Sequence, residues 1–338
     1  MTQYFRPIVS FDPCRPDTAL RLGGRVLWFT HAEVLERGRA PARIPVSDLP
    51  ADMTERLTAP RADLAGLPMR FPQIMGILNV TPDSFFDGGR HDAPQAATAH
   101  ARAMVDAGAD IIDVGGESTR PGATEVPVHA EIARTAPVIA AIRAALPTLM
   151  SIDTRKAAVG QAAIAAGASL INDVAGFTFD PALAGVAAKA QAPVCVMHAQ
   201  GDPQTMQQNP IYDDVLLDVF DFLEERVTWL EAQGIPRARI SVDPGIGFGK
   251  TLDHNLALLQ RIGLFHALGC PILLGVSRKR FIGTIGNAPD AAQRAPGSVA
   301  VALHAVSQGV QILRVHDVYE TRSALDLWQA TVGGHYEP

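Results

Sequence analysis

Along this 338-residue chain, short apolar runs end in residues that can do chemistry. One run ends at Asn79. Others end in Gly-Gly-Glu117-Ser-Thr119-Arg120, Asp153-Thr-Arg155, Asn172-Asp173, Met197-His198, Asp243-Pro244, Ser277-Arg278-Lys279 and Arg314-Val-His316-Asp317. Asp153, Asn172 and Asp243 can accept from, or pair with, the edge of an amino-pyrimidinone ring. A buried carboxylate facing adjacent N–H donors makes a two-point hydrogen bond that is costly to leave unmade. Arg120, Arg278, Lys279, Arg314 and His316 are cationic or can become so; Arg forks onto phosphate oxygens, and Lys acts as a point charge. Together they describe a socket for a flat, nitrogen-rich ring beside a socket for a phosphate or diphosphate. Each residue also has a plainer reading. Asn79 could cap a turn, Asp153 and Asp243 could cap helices, and Lys279 could be an exposed cation or a Schiff-base lysine. Arg314 could be a surface charge, His198 and His316 structural histidines, and Met197 a core residue. Asp113 and Glu117 read as inward hydrogen-bond supports.

The elements that must position these residues follow from periodicity. Apolar runs near 73–79, 110–115, 148–153, 169–173, 193–198, 239–243, 271–276 and 311–315 carry few charges, as strands buried on both faces do. Helical patterns fall near 94–107, 128–145, 156–166, 181–190, 213–233, 253–262, 295–308 and 318–331. Eight strands alternating with eight helices predict an α/β chain folded as a (β/α)8 TIM barrel; a doubly wound open sheet is the alternative. Barrel enzymes build their sites at the C-terminal strand ends, where the polar residues collect. An internal echo supports the repeat: Gly108-Ala-Asp-Ile-Ile-Asp113, Gly167-Ala-Ser-Leu-Ile-Asn172 and Gly309-Val-Gln-Ile-Leu-Arg314 each place a glycine after a helix and an aliphatic pair before a polar residue,. Residues 1–66 read as an N-terminal extension of unknown role, either a small appended domain or a plug for the barrel bottom, and 67–338 as the barrel. Short strands are expected near 4–9 and 25–30, and the proline-rich stretch from Pro41 to Pro72 reads as a linker.

Composition narrows the classes. A 47% hydrophobic and 19% charged chain has a substantial core,. Its net charge of −6, with no long basic run, gives nucleic-acid binding no support,. No stretch of about 18 apolar residues predicts a membrane span. Cys14, Cys195 and Cys270 are far apart, with the last two in apolar surroundings, so neither a zinc site nor a disulfide framework is expected. With no secretion signal at the start, the expected location is cytoplasmic. Gly249-Lys250-Thr251 ends like a phosphate-binding loop but has Pro244 at the first glycine position,.

The runs IMGILNVTPDSFFDGG, ADIIDVGGESTRPGA, SIDTRK, LINDVAG, VMHAQG, VDPGIGFGK, GVSRKRFIG and RVHDV resemble, in order and spacing, the motifs of the dihydropteroate synthase family. The resemblance covers about 72–331. It implies a transferase of folate biosynthesis that joins 6-hydroxymethyl-7,8-dihydropterin diphosphate to p-aminobenzoate. By the same resemblance, Asn79 gives an oxygen to Mg²⁺; Asp153, Asn172, Asp243 and Lys279 grip the pterin, with Met197 and Gly275 lining its pocket. Arg314 and His316 bind the diphosphate, and Thr119 and Arg120 belong to a closing loop; Arg314, His316, Lys279 and Arg120 are the catalytic candidates. Phe85, Pro121 and Ser277 shape the p-aminobenzoate pocket, which is also the sulfonamide site, and Phe248 flanks it. Asp83 helps to complete the closed site. The family implies a homodimer through barrel helices. Phe86 and Arg280 depart from the family pattern. Alternatives are a pterin- or folate-binding methyltransferase domain and a non-catalytic pterin-binding paralogue.

Overall fold

The computed structural model describes residues 2–81, 93–118, 122–201 and 205–333. The chain begins with β1 (Tyr4–Pro7), β2 (Leu20–Arg21), β3 (Trp28–Phe29), β4 (His31–Leu35) and β5 (Ala42–Pro45), followed by α1 (Ala51–Thr58). β1, β4 and β5 form an antiparallel sheet, and β2 pairs with β3. The stretch expected to be a linker thus holds a strand and a helix. Its prolines punctuate elements rather than preventing them: Pro45 ends an edge strand and Pro50 caps α1,. Tyr4 Oη donates to Asp221 at 2.9 Å and its ring stands edge-on to Phe220, while Arg37 reaches Asp218 and Asp221 at 2.6 Å each. These contacts fasten the small sheet to a barrel helix.

Eight parallel strands make the barrel: β6 (Gln73–Asn79), β7 (Ile111–Gly115), β8 (Leu149–Asp153), β9 (Leu170–Asp173), β10 (Val194–Met197), β11 (Ile240–Asp243), β12 (Leu273–Leu274) and β13 (Ile312–Val315). Their order is β11-β10-β9-β8-β7-β6-β13-β12. A bridge between Val242 and Ile272, with Val242 N–H donating to Pro271 O at 2.9 Å, joins the two ends. That closure rules out the open-sheet alternative. β12 starts later than expected, beyond Pro271, which has no N–H to give the ladder,.

Side chains alternate across each strand. Ile74, Ile112, Met150, Ile171, Val194, Val242 and Leu313 lie in the core beneath the helices. Met75, Ile111, Leu170, Cys195, Leu273 and Ile312 form a separate inner cluster, and Leu64 and Met69 join it, both fully buried. Residues 64–69 therefore stop the bottom of the barrel, while the earlier strands pack outside it.

The helices are α2 (Ala93–Asp106), α3 (Val128–Ala145), α4 (Ala157–Ala166), α5 (Ala182–Ala190), α6 (Val215–Ala232), α7 (Leu252–Gln260), α8 (Arg280–Ile285), α9 (Ala295–Ser307) and α10 (Val318–Gly333). The short α8 had no periodic signature, having only six residues. Gly108, Gly167 and Gly309 adopt φ of +99°, +116° and +94°, so the echoed glycine is the left-handed stop between a helix and the next strand,.

If residues 64–69 belong to the core, Leu64→Ala should lower unfolding free energy by about 2–4 kcal/mol in denaturant titrations. A loss below about 1 kcal/mol would show the plug to be peripheral.

Candidate active site

The inner cluster fixes which residues face the barrel mouth. Counting in twos from Met75, Ile111, Leu149, Leu170, Cys195, Ser241 and Ile312 reaches Asn79, Asp113 and Gly115, Asp153, Asn172, Met197, Asp243 and Arg314. The strand register sets Asn79 beside Gly115, Gly115 beside Asp153, Asp153 beside Asn172, and Met197 beside Asp243. Two glycines leave the hollow between them. A Cβ on Gly115 would stand 3.6 Å from both Asn79 Oδ1 and Asp153 Cβ. One on Gly275 would stand 3.9 Å from both Arg314 Cδ and Asp243 Oδ2.

Arg314 organises the acidic side of this hollow. Its Nε donates to Asp113 Oδ2 at 2.6 Å and its Nη2 to Asp153 Oδ2 at 2.7 Å. Asn172 Nδ2 also donates to Asp113 Oδ2, at 3.2 Å, which turns the amide oxygen away from that carboxylate. Burial works against the Arg314 charge, but Asp113 and Asp153 outweigh it and hold its pKa above the ordinary guanidinium value. Burial pushes Asp153 up to about 7; Arg314 opposes this, and Asp113 reinforces it. The guanidinium expected to be an open anion receptor is thus bound to two carboxylates, with its side chain 20% exposed.

The opposite side is built on β11 and the loop that follows it. Burial raises the Asp243 pKa against the pull of Lys279, and Oδ1 accepts from Gly245 N–H at 2.7 Å. Gly245 has φ +69°, and a Cβ there would come within 1.8 Å of His198 O, so only glycine lets the loop lie against the end of β10,. Lys279 lies along this loop: Nζ donates to Ile246 O and sits 4.7 Å from the Phe248 ring centroid. Burial brings the Lys279 pKa down to about 8, with Asp243 holding it up. On the β12 side, Ser277 Oγ accepts from His316 N–H at 3.1 Å and lies 3.0 Å from His316 Nδ1.

Asp153, Asn172, Met197, Asp243, Gly275, Lys279 and Arg314 therefore meet at one mouth, with Asn79, Phe248, Ser277 and His316 around it. Arg278 does not join them. It has φ +57° and its guanidinium turns to Asp317, with Nε 3.0 Å from Oδ2. This corrects its assignment to the anion socket. Phe85, Thr119, Arg120 and Pro121, like Asp83 and Phe86, lie outside the described residues. His198 keeps its structural reading, since burial and Lys250 push it down to about 2. Asp113 and Glu117 act as the inward hydrogen-bond supports expected of them, and the structure adds their partners. Asp113 links Arg314 to Asn172. Buried Glu117 accepts from Arg155, Lys156 and, at 3.0 Å, Val126 N–H, while Glu131 accepts from Lys156 at 2.8 Å. Inward parity flags Asp113, but no local spacing pairs Glu117 with Lys156, 39 residues away.

Comparison with known proteins gives the family. Residues 75–316 match the family model described as pterin binding enzyme. A dihydropteroate synthase of Escherichia coli (strain K12) is 46% identical over 266 residues, covering 79% of this chain and 94% of that one. A Xanthomonas albilineans dihydropteroate synthase solved with 4-aminobenzoic acid superposes with TM-score 0.75 at 46% identity, covering 80% and 98% of the two chains. Another structure of that organism's enzyme, in complex with 7,8-dihydropteroate, gives TM-score 0.73 at 43% identity, with 80% and 98% covered. The chain belongs to the pterin-binding enzymes and, among them, to the dihydropteroate synthase family.

Because the folded protein holds the Asp153 proton up to about 7, against an ordinary 3.8, unfolding releases a proton between those values. Rising pH across that window therefore favours the unfolded chain. The stability advantage of wild type over Asp153→Asn should shrink as pH rises from about 4 to 7, as measured by urea unfolding at several pH values. An advantage that grows over the same window would show that Asp153 is ionised throughout.

Proposed function

We infer that this protein condenses 6-hydroxymethyl-7,8-dihydropterin diphosphate with p-aminobenzoate, giving 7,8-dihydropteroate and diphosphate in folate biosynthesis. The observation that carries this reading is the meeting of Asp153, Asn172, Asp243, Lys279 and Arg314 at one barrel mouth in a chain of this family.

In this reading the carboxylates of Asp153 and Asp243 and the amide of Asn172 take the N–H edges of the pterin. Met197, Gly275 and Lys279 complete the pocket wall. Glycine at 275 leaves the space beside Arg314 and Asp243 into which a flat ring slides. The reaction breaks the pterin CH2–O bond, and the aromatic amine forms the new C–N bond and loses a proton. Negative charge grows on the departing diphosphate, where donors on Arg314 and His316 stabilise it. No side chain acts as a nucleophile. Arg314 serves both substrate halves: anchored to Asp113 and Asp153, it presents its remaining face without needing to be reoriented during the reaction. Ser277 and Phe248 border the place for p-aminobenzoate; the family resemblance assigns Phe85 and Pro121 to the same pocket, and Thr119 and Arg120 to a closing loop.

Asn79 suits a role as a Mg²⁺ ligand. It places a neutral oxygen at the mouth, across Gly115 from Asp153, and Mg²⁺ characteristically uses one or two protein oxygens together with substrate phosphates and water. When bound, the ion would add positive charge at the leaving diphosphate. A sulfonamide-sensitive p-aminobenzoate pocket, a homodimeric assembly and a cytoplasmic location belong to the same proposal and rest on the family resemblance. No helix among the described residues is long and apolar enough to cross a membrane.

Turnover with both substrates tests the proposal. Purified protein should form dihydropteroate and release diphosphate in a Mg²⁺-dependent manner. Asp243→Asn should raise the pterin-substrate KM about tenfold or more, and Arg314→Ala should lower kcat/KM about 100-fold or more. Wild-type activity in Arg314→Ala would refute the assignment of that residue.

A further inference from the structure

Lys250 is an ammonium group buried in the protein, 2% exposed. Among the described residues it has no carboxylate partner within ion-pair distance. Its Nζ lies 2.8 Å from His198 Nδ1 and donates to Phe248 O at 3.0 Å and His198 O at 3.4 Å. These partners come from two segments: the end of β10 and the loop 244–249 after β11. A buried charge costs several kcal/mol unless hydrogen bonds and a nearby opposite charge offset it, so a lysine here needs a reason.

The loop it holds is unusually close to its neighbour. A Cβ at Gly245 would come within 1.8 Å of His198 O, and one at Gly249 within 2.3 Å of Gln200 O. The same loop is the bed of Lys279. Ile246 O accepts from Lys279 Nζ, Gly247 underlies its stem, with a Cβ site 3.4 Å from Cδ, and the Phe248 ring faces the ammonium. Tyr212 Oη adds a bond to Gly249 O at 2.7 Å, and the edge of Phe222 packs on the His198 ring at 4.9 Å.

We propose that Lys250, whose Nζ is engaged by His198 and Phe248 O, is a positioning residue for pterin recognition: it clamps loop 244–249 to the end of β10 and so holds Lys279 opposite Asp243. Its charge also belongs to the site's balance. Asp243 stabilises both ammonium groups, and Lys279 disfavours the charge on Lys250. Burial, with that repulsion, brings the Lys250 pKa well below its ordinary value. His198 is neutral through burial, and the clamp requires its Nδ1, 2.8 Å from Lys250 Nζ, to accept while the ring proton sits on Nε2.

This rests on the proposed pterin site, and a double-mutant cycle separates the two. Binding of 6-hydroxymethyl-7,8-dihydropterin is titrated in wild type, Lys250→Met, Lys279→Met and the double variant. Lys250→Met should weaken binding about tenfold in the wild-type background and less than twofold with Lys279→Met already present. Equal losses in both backgrounds would make Lys250 a general support of the fold, and no loss in either would remove its role; both results overturn the proposal. Lys250→Gln, whose amide keeps two N–H donors without the charge, replaces Lys250→Met if the latter fails to fold. Wild-type protein that does not bind the pterin would refute the site reading. The His198 tautomer, read by nitrogen NMR, tests the clamp independently: a proton on Nε2 supports it, and a proton on Nδ1 overturns it.

Discussion

Arg314 holds two buried carboxylates on one guanidinium, and much of the barrel mouth depends on that pairing. Asp113 and Asp153 lie on adjacent strands and point into the same hollow. Without a cation between them, two ionised carboxylates in a dry site would repel strongly. With Arg314 in place, Asp113 is free to take Asn172, and Asp153 is left with its remaining hydrogen-bonding capacity toward the mouth. One charge therefore orients an acceptor, an amide and itself. The opposite wall repeats the logic with the charges arranged differently: Asp243 lies beside Lys279, which rests on a glycine-rich loop, with Lys250 behind it.

The fold supplies the rest. Parallel strands bring every second side chain to one axis, and a lower layer of apolar residues with the plug at 64–69 closes that axis from below. The polar layer above it is rigid because its supports are also buried. Glu117, Glu131, Arg155 and Lys156 tie the ends of β7 and β8 together, just beneath the start of the loop at 118. Asp113 Oδ1, Ser151 Oγ and, within that network, Arg155 Nε are buried and without partners among the described residues; they mark places where a polar ligand or water would be welcome.

Much of this was legible in the sequence. Buried parallel strands read as apolar runs, and β6 and α3 fall where the periodicity put them, because tertiary packing and local pattern agree there,. The site residues were legible because each closes such a run. Other features were not. The strand β5 and the helix α1 lie in a proline-rich stretch whose prolines occupy element ends, which composition alone cannot distinguish from a linker. Arg278 looked like one more cation beside Lys279, but its left-handed backbone sends the side chain to Asp317, and φ cannot be read from residue type. Lys250 looked like the end of a failed phosphate-binding motif. Its partner His198, 52 residues away, meets it only once β10 and β11 are side by side.

A crystal structure of the protein with 6-hydroxymethyl-7,8-dihydropterin bound addresses the central claim most directly. The account predicts the ring in the hollow left by Gly115 and Gly275, its N–H edge on Asp153 and Asp243, with Arg314 still joined to Asp113. A pterin bound elsewhere, or a hollow in which Arg314 has left both carboxylates, would contradict it.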